Sequence, residues 1–552
     1  MDDEAFKSYF RHPAYFGWNL AHATFMILAW CIALPVAIML RIAGSRYHLR
    51  AQMIFHGLNG LGIFTGIVYD VLTPNLYPHD SHRGMGWAMV SLAVIWTMLS
   101  FYVAYCETRS RPLLGREEFQ TCRERAAYRD SYYGVSRGYS TDSSQEPLSP
   151  RNQEPPAEDP MDEGDGYPNN DHNSRPEERG WLSNKHNTRA QRCLSLSRDS
   201  ALCASTVIRM TPKLLEKFLL PLGFTALITG FIVTGGLFRT GEMLNGLAHM
   251  IKGGIFFWYG ILTFGRWMGA FAAVGWAWNI RPLQQPQQGR RIGMVRWVEK
   301  VPSAEFVESF VIWLYGASNV FLEHLSGWGG EWTPRDLEHV SITLLFFGGG
   351  MLGMVVESKW VGPPTMAATT VEGFPGDEEE THRVKSPVYF GAGAGGDAEE
   401  LQVHDRHRAT SRRRIPLNPM PALTIMLLGT MMAAHHQASE VSTKLHSQWG
   451  NLFTAFGLAR GVTYITLYLK PPPSSHPSRP PTEITTSFCL CAGGLVFMTS
   501  ASEVVETIEA NGVDSSVVSM VCMGLTCVIL AWEIVLYGIK GWAVRKERGE
   551  GS

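Results

Sequence analysis

The stretch LAHATFMILAWCIALPVAIML, residues 20–40, contains no charged side chain. An α-helix needs about twenty predominantly apolar residues to cross the hydrocarbon core of a lipid bilayer. Because lipid offers no hydrogen-bond partners, a crossing chain must satisfy its own backbone groups, and a helix does so within one segment. The stretch therefore predicts a transmembrane helix.

Ten more apolar runs follow along the 552-residue chain, and Gly, Met, Trp and Phe are frequent in them. The mean hydropathy is only -0.04 because two polar tracts dilute these runs. We predict an all-α, polytopic integral membrane protein with about eleven transmembrane helices. A count of ten or twelve helices stays open, because the Trp-rich residues 267–279 are apolar enough to lie in or re-enter the membrane. The predicted spans are residues 20–40, 51–72, 85–105, 218–238, 247–264, 306–325, 339–356, 421–440, 449–469, 488–506 and 517–537.

The two polar tracts divide the chain into modules. Residues 106–212 and 358–416 are rich in Ser, Arg, Glu, Pro and Asp, a composition that cannot bury enough apolar surface to offset its ordering entropy. We predict both as disordered cytosolic linkers, which would recruit cytosolic partner proteins. They separate a three-helix module, residues 1–105, from a four-helix module, residues 213–357, and from a second four-helix module with a cytosolic tail, residues 417–552.

Basic residues predict the orientation of the spans, because Lys and Arg accumulate on the cytosolic side of short loops. If the N-terminus is outside, the outside loops that hold a basic residue hold one each, and these are Arg83, Arg239, Arg335 and Lys444. Every cytosolic loop then holds more than one. We therefore predict an outside N-terminus and a cytosolic C-terminus, in the plasma membrane or an endomembrane of the secretory pathway.

His and Glu residues at the membrane edge fall largely on one side of this topology. Titratable groups in a bilayer are expensive, and they usually face a bundle interior, a cavity or one another. Imidazole nitrogen and carboxylate oxygen together suit Zn, Cu, Fe or Mn, so a one-sided collection predicts a metal site. Its residues at the outer helix ends are His249, Glu323, His324, His339, His435, His436, Glu440, His446, Glu503 and Glu506.

Other interpretations of this collection stay open. A proton relay would use the same residues, and a single His at a helix end can sit at the level of the lipid headgroups without a ligand. On continuous helices, His436 and Glu440 share a face, as do Glu503 and Glu506. The apolar run 421–434 is too short to cross the membrane unless its helix continues to about Glu440. The tenth run, which starts at residue 488, likewise reaches a spanning length only if its helix continues to about Glu506.

Three other polar residues within predicted spans are Arg460, Glu308 and Glu533. Arg460 is midway along its span and Glu308 is near the cytosolic start of another, so a buried ion pair between them is one interpretation. Glu533 is a second candidate partner for Arg460. Ionisable residues inside a membrane mark ion or substrate pathways, and they favour a proton-coupled or metal-ion transporter as an alternative function.

The first three runs contain the segments AHATFMILAWCIALPVAIMLR, FHGLNGLGIFTGIVYD and SHRGMGWAMVSLAVIW, which begin at residues 21, 55 and 81. These segments resemble the haem-binding half of a known class of haem protein, the ascorbate-reducible transmembrane cytochromes b. The resemblance implies that His22 and His82 are axial ligands of an outer haem b, and that His56 ligates an inner haem. The family's fourth His should follow on the inner side, whereas the next membrane His in this chain is His249, at an outer helix end.

Across its whole membrane part, the chain is similar to the fungal Ytp family of multi-pass membrane proteins. The similarity rests on the same N-terminal segments and on HMIKGGIFFWYGILTFGRW, NVFLEHLSGWGGEWTPRDLEHVSI and HHQASEVSTKLH. The last eight spans also resemble the animal transmembrane protein 45 family, which likewise scatters His and Glu at helix ends. These resemblances imply a multi-pass fold and leave the reaction open.

No motif supports hydrolysis. The chain has no Gly-rich phosphate loop followed by Lys and no Gly-x-Ser-x-Gly turn in a strand context, and nothing indicates nucleic-acid binding. The sequence therefore predicts a metal- or haem-binding protein of the lipid bilayer in redox or metal-ion handling, with membrane oxidoreductase as its enzyme class. There are two alternatives: a transporter, and a non-catalytic scaffold that binds partners through its linkers.

Overall fold

The structure, a computed structural model, describes residues 8–9, 15–77, 80–110, 184–238, 243–278, 301–323, 334–358, 417–470 and 477–549. Regular structure within these ranges is helical. We number the helices α1 to α12 in chain order. They are Phe16–Ile42, His48–Leu72, His82–Ser110, Asn184–Gly235, Met243–Met268, Ala304–Glu323, Pro334–Glu357, Met420–Ala433, Glu440–Leu469, Thr482–Thr499, Ser502–Ala510 and Ser515–Gly549.

Nine of the described helices are long and apolar enough to cross a membrane. Helices α6 and α8 coincide with the two remaining predicted spans, and α8 is a shorter apolar helix. The all-α, multi-pass membrane fold is therefore confirmed, whereas the number of crossings and their orientation stay predictions. We call the end of the bundle where α1 begins the outer end, and the opposite end the inner end.

Helix α8 ends earlier than the sequence predicts. It stops at Ala433, and the chain then runs without helix as far as Ser439. The Ser439 hydroxyl caps the next helix by accepting a hydrogen bond from the Ser442 N–H at 3.0 Å. The prediction of one helix from 421 to Glu440 is wrong, because this cap starts a new helix at Glu440. His436 and Glu440 therefore do not share a helical face.

Helix α10 also differs from its predicted span, 488–506. It starts at Thr482 and ends at Thr499, and Ala501 has an extended backbone that separates it from α11. The extra length comes from a polar turn at the inner end, where the Ser487 hydroxyl donates to the Glu483 carbonyl at 2.7 Å. Glu503 and Glu506 lie on α11 and do not extend α10, so the prediction of a continuous span is wrong.

Helix α4 joins the first three helices in a four-helix bundle. Its Leu219 packs in one apolar cluster with Trp30 of α1 and Trp96 of α3. Arg41, at the end of α1, pairs with Glu216 of α4, and the Trp96 indole N–H donates to the same carboxylate at 3.2 Å. The N-terminal core therefore extends past residue 213, where the sequence predicts the second module to begin. A second large cluster links α5 through α12.

Small residues bring the helices of this second cluster close together. A Cβ at Gly494 of α10 would lie 2.5 Å from the Gly253 carbonyl oxygen of α5, and one at Gly450 of α9 would lie 2.6 Å from the Gly429 carbonyl oxygen of α8. Backbones meet at these points, as in other membrane helix pairs with small interfacial residues. The start of α5 faces the end of α10, so the two helices are antiparallel.

The two predicted linkers lie mostly outside the described residues. Residues 111–183 and 359–416 are not described. Helix α4, however, begins at Asn184, within the range predicted to be a disordered linker. Ala, Leu and Arg recur in its first part, and their high helix propensity favours the continuation of the membrane helix into a polar segment.

Candidate functional site

Two imidazoles meet at the outer end of the four-helix bundle. His22 lies in the second turn of α1, and His82 is the first residue of α3. Their ring centroids are 6.4 Å apart and their planes are at 90°. The structure thus brings together the two residues that the resemblance to cytochromes b implies as a pair.

Hydrogen bonds at Nδ1 orient both rings. His22 Nδ1 lies 2.7 Å from the Gly62 carbonyl oxygen of α2, which can only accept, so this nitrogen carries the proton. His82 Nδ1 lies 3.0 Å from the Thr229 hydroxyl of α4, and that hydroxyl donates to the Ala226 carbonyl at 3.0 Å. The hydroxyl is therefore an acceptor for His82. In both rings the hydrogen-bond network assigns the proton to Nδ1 and the lone pair to Nε2.

Two glycines leave room for these rings. A Cβ at Gly66 of α2 would lie 2.6 Å from His22 Nδ1. A Cβ at Gly230 of α4 would lie 3.0 Å from His82 Cε1. Any larger residue at Gly66 would displace the imidazole. The pair therefore depends on all four helices of the bundle.

His56 lies apart from this pair. It is on α2, six residues before Gly62, which places it about 9 Å nearer the inner end along the helix axis. Its Nε2 lies 2.8 Å from the Thr97 hydroxyl of α3. Within the described residues, the polar partner of His56 is therefore a hydroxyl, whereas the resemblance implies an inner pair of His residues.

One contact joins two of the helix ends that the sequence assigns to a metal site. His435 Nε2, in the loop after α8, lies 3.3 Å from Glu338 Oε2 of α7. The sequence analysis selected the neighbouring residue, His339, and missed Glu338. His436 is exposed, and Glu440 pairs with a Lys of its own helix at 2.7 Å.

Aromatic rings separate two other predicted ligands. The His249 ring lies 5.3 Å from the Phe497 ring, and the His446 ring lies 5.6 Å from Trp449. Trp449 and Phe497 are in turn 4.6 Å apart. Each of the two imidazoles therefore packs against one ring of this aromatic pair. Glu503 accepts a hydrogen bond from the backbone N–H of Phe238.

The remaining members of the predicted metal site are not brought together in the described part of the chain. Glu506 is exposed on α11, and the side chain of Glu323 and the whole of His324 lie outside what the structure describes. Among the described residues, no three His, Cys, Asp or Glu side chains form a group that could hold a metal ion. The ten-residue metal site stays a prediction.

Five ionisable side chains come together at the inner end, and we call them the inner charge cluster. Arg266 of α5 donates from Nη1 to Glu308 at 2.6 Å and from Nη2 to Glu305 at 2.9 Å, both on α6. Arg460 Nε of α9 lies 2.9 Å from Glu483 Oε1 of α10. Its Nη1 lies 3.5 Å from Glu308 Oε2. The Arg460–Glu308 pair that the sequence suggests is therefore present, and Glu483 is the closer partner.

An aromatic residue lies against both guanidiniums. The Trp278 ring centroid is 4.6 Å from Arg266 Cζ and 5.3 Å from Arg460 Cζ. The chain after α5 folds back on the inner end, so that Trp278 also packs against the Tyr464 ring at 6.1 Å. The Trp-rich stretch that the sequence predicts to lie in or re-enter the membrane thus covers the inner charge cluster.

The sequence analysis found two of these five residues. It missed Arg266, Glu305 and Glu483 because each lies within three residues of a helix end, where a charged side chain usually reaches water. A usable signal was the polar first turn of α10, in which Thr and Ser continue after Glu483. Nothing in the local sequence distinguishes Thr229 as the partner of His82.

Two family descriptions match the chain. Residues 222–541 match the family described as Protein YTP1-like, C-terminal. Residues 3–106 match a domain described as being of unknown function. The second range ends where the predicted three-helix module ends, and the first begins within α4. No solved structure matches the chain.

Three fungal relatives are similar to it. An uncharacterized membrane protein of Schizosaccharomyces pombe is 33% identical over 551 residues, which are 98% of this chain and 96% of the relative. An uncharacterized membrane protein of Saccharomyces cerevisiae is 35% identical over 333 residues, 59% of this chain and 47% of the relative. Protein YTP1 of the same yeast is 21% identical over 244 residues, 44% and 40% of the two chains.

Proposed function

The chain belongs to the YTP1-like family of membrane proteins, and on that premise we propose that it is a membrane redox protein in which His22 and His82 hold the iron of a haem b. Haem iron would supply reversible one-electron transfer. The chain contributes two imidazoles, their hydrogen-bond partners and an apolar bundle around them. The location would be the outer end of the four-helix bundle.

The arrangement of the two rings carries this proposal. Metal-bound imidazoles bind through one nitrogen and donate the other N–H to a carbonyl, carboxylate or water, which fixes their orientation. His22 and His82 both donate from Nδ1, the former to the Gly62 carbonyl and the latter to the Thr229 hydroxyl. Both Nε2 lone pairs are therefore suited to an iron.

The separation of the rings also fits. A metal–imidazole bond is about 2 Å long, so two rings on opposite sides of one metal have centroids roughly 6 Å apart once the ring size is added. The observed separation of His22 and His82 is 6.4 Å. Edge-to-face packing of two rings gives similar spacings, so the distance is compatible with a shared iron, and the hydrogen bonds at both Nδ1 atoms carry the proposal.

The number of ligands favours haem over a bare metal ion. A closed zinc site takes four protein ligands, whereas this pair is not joined by a third His, Cys, Asp or Glu in the described part of the chain. Haem iron needs only axial ligands from the protein. A transition metal completed by water, such as Zn, Cu, Fe or Mn, is the competing occupant of the same two residues.

The test is an absorbance spectrum of the full chain purified in detergent, oxidised and then reduced, together with elemental analysis. We expect haem b bands in the wild type and their loss in His22→Ala and in His82→Ala. His436→Ala, an exposed residue of the α8–α9 loop, is the matched control and should keep the bands. A wild type with neither haem bands nor metal above background would overturn the proposal.

The inner charge cluster favours a second candidate, a proton-coupled or metal-ion carrier. Ionisable residues in membrane helices commonly mark ion and proton pathways, and Arg460 and Glu483 are completely buried. The test is uptake of Zn²⁺ or Mn²⁺ into vesicles holding the full chain, with and without a pH gradient. Uptake that is gradient-dependent and lost in Arg460→Ala supports a carrier, and uptake equal to that of empty vesicles excludes it for these ions.

A further inference from the structure

The inner charge cluster contains more acidic than basic groups. It holds the carboxyl groups of Glu305, Glu308 and Glu483 and the guanidinium groups of Arg266 and Arg460. Three carboxylates and two guanidiniums leave one negative charge in excess when all five are ionised. An uncompensated charge in a membrane-buried position is strongly unfavourable, so such a group normally becomes neutral or gains a counterion.

The cluster is closed to water on the sides that the structure describes. The five side chains are at most 9% exposed. The groups that face them from their own and neighbouring elements are neutral or acidic, so they do not supply the missing charge. These groups are Tyr259 of α5, Tyr464 of α9, Trp278, the hydroxyls of Thr463 and Thr482, and Glu357 of α7, which accepts from Ser303 at 2.7 Å.

The ion pairs of the cluster join its three carboxyl groups to two guanidiniums. Arg479, an exposed cation that follows α9, has its guanidinium 5.6 Å from the Trp267 ring. One carboxyl group of the cluster therefore needs a proton or a further positive charge to balance it.

The three carboxyl groups of the cluster differ in the hydrogen bonds that they accept. Glu308 accepts at both oxygens, from Arg266 at 2.6 Å and from Arg460 at 3.5 Å, and Glu305 accepts from Arg266 at 2.9 Å. Glu483 lies 2.9 Å from Arg460 Nε and beside the Thr463 hydroxyl, but the guanidinium N–H groups of Arg460 are poorly aligned with its oxygens. Because a buried carboxylate needs hydrogen bonds to remain ionised at low cost, Glu483 is the carboxyl that a proton stabilises most.

We propose that Glu483 is a proton-binding site within the membrane bundle, where its carboxyl carries an exchangeable proton. The two guanidiniums then balance Glu305 and Glu308, and the cluster is neutral. Loss of the proton gives Arg460 a second carboxylate and weakens its contact with Glu308, which links protonation to the packing of α6, α9 and α10. This proposal requires neither the haem nor a transported ion.

The buried carboxyl group of Glu483 lies close to the end of its helix. Glu483 is the second residue of α10, and Pro481, two residues earlier, is exposed. The rise of an α-helix is about 1.5 Å per residue, so the carboxyl group lies within one turn of the helix end. A small opening of this first turn is enough for exchange.

The experiment compares Glu483→Gln with Glu308→Gln in the full chain, in detergent at neutral pH. Infrared spectra of the wild type and of each variant are recorded in water and in heavy water. A protonated carboxyl group is detected by its C=O stretching band, which shifts when its proton is exchanged for deuterium. Thermal unfolding measures stability in parallel. We expect Glu483→Gln to lose one such band and to unfold at nearly the wild-type temperature, because the amide is a neutral replacement for a neutral acid. Glu308→Gln should unfold well below the wild type, because it removes an ionised carboxylate that pairs with both guanidiniums. It should also lose the band, because two guanidiniums that face Glu305 alone stabilise the ionised form of Glu483.

A second variant separates the cluster from a buried acid of α12 that lies outside it. Glu533→Gln, on α12, should leave the band assigned to Glu483 in place. A wild type whose protonated-carboxyl band survives Glu483→Gln overturns the proposal. So does Glu483→Gln that fails to fold, or that unfolds as early as Glu308→Gln. Stabilisation of the wild type by Na⁺ or K⁺ that Glu483→Gln abolishes would instead assign a cation to the site.

Discussion

Arg266 of α5 and Glu308 of α6 form an ion pair in which Nη1 lies 2.6 Å from Oε1, and both side chains are more than nine-tenths buried. The same guanidinium also binds Glu305 and the Trp276 carbonyl. Glu308 in turn contacts Arg460 of α9. Helices α5, α6 and α9, together with the segment after α5, are thus joined by polar contacts at the inner end of the bundle.

Replacing Arg266 by Gln should strongly destabilise the bundle. The change keeps much of the side chain's length but leaves Glu305 and Glu308 buried with one guanidinium fewer. Removing one partner of a buried ion pair typically costs about 3–5 kcal/mol. We expect a loss of this size in the free energy of unfolding, measured by denaturant titration in detergent micelles.

The control for this variant is Glu440→Gln, which breaks the Glu440–Lys444 pair on the surface of α9. Both of those side chains are more than half exposed, and water screens such pairs. Its stability should equal that of the wild type. Equal stabilities of Arg266→Gln and Glu440→Gln would show that the inner ion pairs contribute little.

Replacing Gly66 by Ala should disturb His22 without unfolding α2. The added Cβ would lie 2.6 Å from His22 Nδ1 and would compete with the hydrogen bond to Gly62. Ala has a higher helix propensity than Gly by about 1 kcal/mol, so the helix itself is not weakened. We expect less bound haem or metal per protein, measured by absorbance and elemental analysis. Gly60→Ala, on the same helix with open space around its Cβ, should bind as the wild type does.

How much of this structure could be predicted from the sequence depends on whether a feature is local. The eleven apolar runs coincide with helices because apolar length is a local property. The ends of α8 and α10 were mispredicted because a hydroxyl cap at Ser439 and an extended residue at Ala501 outweigh the preference for a full span. These competing signals occupy one or two residues, and the apolar pattern does not contain them.

The candidate sites also differ in how far their residues can be predicted from the local sequence. His22 and His82 are predicted through a resemblance, and their facing arrangement is formed by α1 and α3, two of the first three helices of the chain. The supporting Thr229 lies on α4, beyond residues 111–183, and nothing in its local sequence marks it. Glu483 was missed because its partner, Arg460, lies across a helix–helix interface that only the fold creates.

Replacing Gly494 by Ala should separate α5 from α10. Its Cβ would lie 2.5 Å from the Gly253 carbonyl oxygen and 2.6 Å from the Phe257 nitrogen, both of which are helical backbone and cannot move aside independently. Overpacking of this kind typically costs about 1–3 kcal/mol. We expect a lower unfolding temperature in detergent. Gly524→Ala on α12, where the Cβ meets open space, serves as the control, and an unchanged Gly494→Ala would contradict the close approach.

Replacing Thr229 by Val should weaken binding at the outer His pair while preserving the fold. Val keeps the shape of Thr and removes the hydroxyl that accepts from His82 Nδ1 at 3.0 Å. Loss of such an orienting partner typically lowers metal affinity by about 10–100-fold, and we expect a loss of haem affinity of this order. The measurement is titration of the purified, stripped full chain with haem, followed by absorbance.

Two related variants make this result specific to the hydrogen bond. Thr225→Val, one turn earlier on α4, removes an exposed hydroxyl that donates only to the Pro221 carbonyl, and it should bind haem as the wild type does. Thr229→Ser keeps the acceptor and should restore most of the affinity. If Thr229→Val binds as tightly as Thr225→Val, then His82 is not oriented through Nδ1, and the assignment of its lone pair to Nε2 fails.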